Sequence, residues 1–108
     1  MTVKDCGVIL VTTNSEEEAK NIARILVSEK LAACVNIFPI HSIYRWQGEV
    51  CEDREWQLVI KTNLKLFPQL AEKIKSLHSY QTPEIIALPL VDGSQSYIEW
   101  LQDSVIHL

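Results

Sequence analysis

With 108 residues, 47% of them hydrophobic, the chain has the size and apolar content of a single domain, 1–108, built on one core. Its 14 acidic residues against 10 basic ones leave a net charge of -4, which argues against a footprint for nucleic acid or for an anionic membrane surface. No run approaches the ~18 apolar residues that cross a bilayer, the start MTVKDCGVIL lacks signal-peptide marks, and the three cysteines show no metal-type spacing, so a cytoplasmic protein with reduced thiols is expected.

The run GVILVTT, residues 7–13, is continuous and β-branched, as in a strand buried on both faces. Ser15 then offers an N-cap, with Glu18 at the capping-box position and negative charge in the first turn. A helix begins there, with Ala19, Ile22, Ala23, Leu26 and Val27 on its buried side. Residues 31–46 and 49–63 read as two long strands joined at Gln47-Gly48. Pro39 and His41 interrupt the first arm, which calls for a bulge or an edge position. Residues 64–78 place Leu66, Leu70, Ile74 and Leu77 on one helical face, provided Pro68 lies in the first turn behind Asn63 or a neighbour as cap. EIIALPL, residues 84–90, is a further strand closed by the turn signal DGS, and residues 96–108 keep Tyr97, Leu101 and Val105 at helical spacing behind Ser94 or Ser96. The order β-α-β-β-α-β plus a C-terminal helix predicts an α+β, ferredoxin-like fold with a long central β-hairpin.

Each hairpin arm holds about 14 residues, a reach of roughly 45 Å at ~3.3 Å per residue, whereas a chain of this length has a radius of gyration of only ~13 Å. Part of the hairpin therefore projects, carrying Ile43, Tyr44, Trp46, Val50 and Trp56. Apolar groups of that size mark an interface, and burying one aromatic side chain contributes ~1.5–3 kcal/mol. The expectation is a homo-oligomer whose subunits exchange hairpins; the alternative is a hairpin bent back at Pro39.

Donor-bearing side chains gather in SLHSYQTPEI, residues 76–85. His78 closes a helix, where its ring can bond the last free carbonyls and the dipole favours an imidazolium. The competing reading makes it a metal ligand through a neutral ring nitrogen, with Cys34 as a soft donor for Cu(I) or Glu84 as a harder one for Cu(II) or zinc. A salt bridge from Glu84 to Lys61 or to an arginine ranks above ligation by Glu84. Tyr80, apolar in body and polar at its tip, suits a pocket wall or a subunit boundary, which makes Tyr80 and Lys61 the candidate contacts to a bound small molecule. His41 and His107 are assigned to solvent or packing. No G-x-S-x-G, phosphate loop or H-E-x-x-H occurs, so an enzymatic role lacks residue support. The aromatic pattern of RNA-recognition modules is absent too.

The strings VTTNSEEEA, LAACVNIFPI, SIYRWQGEV, IKTNLKLFP, LHSYQTPEIIALPL and YIEWL follow one another over residues 8–103 and resemble the CutA family of divalent-cation tolerance proteins. The resemblance implies a ferredoxin-like fold, a homotrimer built through the hairpins, a cytoplasmic location and binding of copper or another divalent metal ion linked to metal tolerance. Family members for which copper ligation is proposed use a first-strand cysteine and a histidine pair before a Pro-Tyr step. Here Val11 stands at that cysteine, Leu77 at the first histidine and Ser79 at the proline, leaving His78. Cys34 corresponds to the LAAC cysteine and Glu84 to the PEI glutamate. A copper site in this chain therefore differs from the family's, binds more weakly or draws on several subunits. The alternatives are a trimeric small-molecule sensor of PII-like design and a structural or partner-docking trimer.

Overall fold

A computed structural model of the chain describes residues 3–107, without the side chain of Lys4; Leu108, the last residue of the expected C-terminal helix, lies outside the described residues. After a 3-10 turn at Val3–Asp5 come β1 (Cys6–Thr13), α1 (Glu16–Ser28), β2 (Cys34–Trp46) and β3 (Glu49–Asn63). A second 3-10 turn at Leu64–Leu66 leads into α2 (Phe67–Leu77), β4 (Ile85–Pro89) and α3 (Gln95–Asp103). The strands form one antiparallel sheet in the order β2-β3-β1-β4. This is the α+β, ferredoxin-like arrangement with a C-terminal helix that the element order predicts.

β1 runs between β3 and β4, which explains its continuous β-branched sequence. Ile9 and Val11 of β1, with Leu58 and Ile60 of β3, pack against Ala19, Ile22 and Leu26 of α1 and Leu70 and Ile74 of α2. Alternation turns Cys6, Val8, Leu10 and Thr12 to the other face. There α3 covers only the Cys6 end, through Ile98 and Leu101. The Thr12 end of that face carries no helix, and it is where the site described below lies.

Several local expectations change. Ser15 caps α1, its Oγ accepting from the Glu18 N–H at 3.1 Å, but the Glu18 carboxylate closes no capping box and serves the loop after α2 instead. α1 ends with Lys30 at φ 60 and the Leu31 N–H on the Leu26 carbonyl at 2.9 Å. This left-handed closure, usually a glycine's, buries Leu31 and Ala32 in the turn, so the strand expected from residue 31 begins at Cys34. Val27, expected inside, is exposed. In α3 the inward positions are Ile98 and Leu101, with Val105 buried just beyond the helix, while Tyr97 is exposed beside the Trp100 ring. Pro68 does sit in the first turn of α2, and Asn63 caps the 3-10 turn ahead of it, its Oδ1 accepting from the Lys65 N–H at 2.9 Å.

β2 and β3 pair without interruption from Cys34↔Lys61 to Trp46↔Glu49. Pro39 therefore makes no bulge; β2 is an edge strand, where a missing N–H need cost no ladder bond. Gln47 and Gly48 have φ 50 and 82, the pair of left-handed residues that a type I′ turn requires. β1 ends at Thr13, opposite Trp56, so beyond that row the hairpin is a two-stranded ribbon. On it Ile43 is 70%, Val50 66%, Trp46 43% and Tyr44 41% exposed. Trp56, expected to project with them, instead packs partly buried against the main core. The extents of 45 × 25 × 22 Å match the reach of the arms.

Candidate functional site

The loop from His78 to Glu84 closes over the helix-free end of the sheet, and three polar ties hold it there. His78 is the C-cap of α2, its N–H on the Ile74 carbonyl at 2.9 Å. Its ring reaches across to β1 rather than to the helix's own carbonyls: Nε2 lies 2.7 Å from the Thr12 carbonyl oxygen, and the Tyr80 N–H donates to Nδ1 at 3.0 Å. A carbonyl can only accept, so Nε2 is the donor to Thr12, and Nδ1 also lies 3.3 Å from Glu18 Oε1. The second tie is Glu18 of α1, whose carboxylate accepts from the Ser79 N–H at 2.9 Å and the Ser79 hydroxyl at 2.8 Å. The third is Tyr80, whose hydroxyl donates to Glu55 Oε2 on β3 at 2.6 Å while its ring lies against the His78 ring, centroids 4.8 Å apart.

Beneath this loop lies a cavity of about 610 Å³. Its hairpin side is formed by Ile40, Tyr44 and Trp46, its floor by Thr12, Glu55 and Gln57, and its loop side includes Tyr80 and Glu84. Strand alternation explains the floor, because Thr12, Gln57 and Phe38 occupy one cross-strand row and Glu55 pairs with Ile40 on the same face. Gln57 is fixed by donating its Nε2 to the Val11 carbonyl at 3.0 Å. Glu55 is only 7% exposed.

The electrostatics of the cavity are acidic. Partial burial, with the Glu55 charge added, raises the Glu84 carboxyl above the ordinary carboxylate range. Burial pushes the Tyr80 hydroxyl well above the usual phenol value, helped by its hydrogen bond to Glu55. The hydroxyl of Tyr44, hydrogen-bonded to Asp53, is pushed up to about 12, chiefly by that bond. Both phenols are thus protonated donors at neutral pH.

The residues singled out in the sequence are only partly brought together. Tyr80 and Glu84 line the cavity and His78 anchors its loop. Cys34 and Lys61 pair with each other across β2 and β3, in the row of Val8. That row lies four residues along β3 from Gln57, about 13 Å at ~3.3 Å per residue. The expected Glu84–Lys61 salt bridge is not formed among the described residues. His78 has its side chain fully buried and both ring nitrogens engaged. No group of three or more His, Cys, Asp or Glu side chains is placed to hold a metal ion among the described residues. The donors of one chain therefore do not fit copper at this position. Glu55 and Gln57 went unremarked in the sequence, and Glu18 was read there only as a capping-box residue; the signal for Glu55 was its phase, on the face opposite the inward Trp56, Leu58 and Ile60.

A family model described as CutA1 divalent ion tolerance protein matches residues 7–104. The chain is 54% identical over 98 residues to the divalent-cation tolerance protein CutA of Thermus thermophilus, covering 90% of this chain and 95% of that one. It is 48% identical over 98 residues to a chloroplastic CutA protein of Arabidopsis thaliana, of which it spans 54%. Among solved structures, one described as the periplasmic divalent cation tolerance protein CutA from Archaeoglobus fulgidus superposes with a TM-score of 0.92 at 39% identity, covering 94% of this chain and 99% of that one.

Proposed function

The chain belongs to the CutA1 divalent ion tolerance family, and from that premise we propose that it works as a non-catalytic homotrimer binding a small ligand in the cavity beneath Tyr80. The cavity carries this reading: about 610 Å³ lies within the range of small-molecule sites, and polar groups converge on it between aromatic walls. Support for an oligomer comes from the ribbon beyond Trp56, since a two-stranded hairpin is marginal in water and this one exposes Ile43, Tyr44, Trp46 and Val50. Three copies rather than two is the assembly that the family resemblance implies. A non-catalytic role accords with His78, whose ring nitrogens are both committed to holding the loop. The free state of Cys6, Cys34 and Cys51 suits a reducing, cytoplasmic compartment.

Light scattering in reducing buffer should give three times the 12.4 kDa chain mass. A small-fragment screen by amide NMR should shift Thr12, Gln57, Tyr80 and Glu84 together. A monomer, or fragments that never perturb these residues, removes the reading. The family's divalent-ion description favours a second reading, in which copper or another divalent ion is bridged between subunits. Cys34, partly buried and free, would be the soft donor for such a bridge. Copper titration of the wild type beside Cys34→Ser decides it, since equal affinities would exclude that donor.

A further inference from the structure

Alternation distributes the hairpin's charges unevenly. Glu55 and Asp53 of β3 share the cavity face with Ser42 and Tyr44 of β2, whereas Arg45 and Arg54 fall on the opposite face by register. Lys61 shares the face of Glu55 but stands about 20 Å away along β3 at ~3.3 Å per residue. Glu55 and Glu84 therefore share the cavity with the Tyr80 hydroxyl as donor to Glu55, and among the described residues neither carboxylate forms an ion pair with a cationic side chain. A carboxylate as buried as Glu55, 7% exposed, is costly to keep ionised without a counter-charge. Glu84, exposed on the whole, has its carboxyl raised first by partial desolvation and second by the Glu55 charge. Tyr44, Trp46 and Tyr80 add π-faces, which attract cations. The volume of about 610 Å³ suits a small organic molecule rather than a bare ion.

We infer that the cavity takes a small organic cation, an ammonium or guanidinium compound with an apolar body, its charge set between Glu55 and Glu84 and its body against the aromatic walls. This deepens the ligand-site reading above and rests on it. Calorimetric titration of the ligand-free protein, verified by native mass spectrometry, with tyramine, agmatine and para-ethylphenol tests it, the last being tyramine without its amine. The amines should bind saturably and para-ethylphenol on the order of 30-fold more weakly, about the effect of removing one member of a desolvated charge pair. Glu55→Gln and Glu84→Gln should each weaken the amines by a similar factor, and by clearly more than they weaken para-ethylphenol. Ligand-free Glu84→Gln should unfold at a higher temperature than wild type, because an uncompensated charge is gone. Lower stability of that variant would mean that an arginine or lysine of a second copy already supplies the cation, which overturns the inference. Displacement of the amines by equimolar magnesium chloride would assign the carboxylates to a metal and overturn it too. Equal binding of amine and para-ethylphenol would sink the cation while leaving the ligand site standing; if none of the probes shifts a cavity residue, the ligand site falls as well.

Discussion

Replacing Tyr80 with Phe removes one oxygen and keeps the ring that lies against His78. That oxygen is the hydrogen-bond donor to Glu55 Oε2, at a short 2.6 Å, on a carboxylate that is 7% exposed. Hydrogen bonds to charged groups contribute about 1.5–3 kcal/mol net, and a buried acceptor left without its donor loses most of that. Glu55 borders the cavity, so water can reach part of the orphaned carboxylate, which places the expected loss at the low end, about 1.5–2 kcal/mol. The assay is equilibrium urea unfolding at one fixed protein concentration, because the proposed assembly would link stability to concentration. A cycle with Glu55→Gln apportions the loss: the Tyr80–Glu55 term should shrink to about 1 kcal/mol when the acceptor becomes a neutral amide. A Tyr80→Phe protein within about 0.5 kcal/mol of wild type would behave as an ordinary surface variant and would refute the claim that this bond holds the loop down.

His78→Ala should leave copper affinity unchanged and loosen the loop, read as faster amide exchange at Ser79 and Tyr80; a drop in copper affinity with no change in exchange would restore the histidine as a ligand. Glu84 has its folded pKa raised above its unfolded value, so its contribution to stability is fully present below the unfolded value of about 4.5 and is lost as pH rises through the folded one. Glu84→Gln should accordingly flatten the stability profile on the alkaline side of pH 4.5, and a parallel profile in the variant would contradict the assignment. Ile43→Glu with Val50→Glu places charge on the two most exposed apolar positions of the ribbon and should lower the mass in light scattering to that of a single chain; an unchanged trimer would put the interface elsewhere.

The elements with long, regular apolar periods were legible in the sequence, and the departures share a cause. Periodicity reports which side of an element is apolar, but not what lies opposite. Val27 and Tyr97 fit their helical stripes, yet no element packs over them, so they stay exposed. The start of β2 was misplaced because Lys30 takes a left-handed conformation without the glycine that would have signalled it. Glu18 illustrates the same limit at the site. Its spacing from Ser15 reads as a local capping box, but Ser79 offers it two donors from a loop far along the chain, and the non-local pair prevails. The phase of Glu55 places it on the non-core face of β3, where a glutamate ordinarily meets water, so its burial was not foreseen. Only the folding of Tyr80 over it makes it a buried charge.

The same overhang produces both the exposed apolar ribbon and the cavity. Past the row of Trp56 the ribbon has no third strand, so its side chains on one face are free to wall a space that the loop after α2 roofs. Tyr44 and Trp46 are at once walls of that space and exposed members of the ribbon expected to contact other subunits. The roof is fastened to three different elements: α1 through Glu18, β1 through Thr12 and β3 through Glu55. In the proposed assembly, a molecule bound between wall and roof would touch residues whose positions the other subunits also fix. By linkage, whatever free energy assembly contributes to ordering Tyr44 and Trp46 is free energy that the ligand no longer has to supply, and the bound ligand strengthens assembly by the same amount.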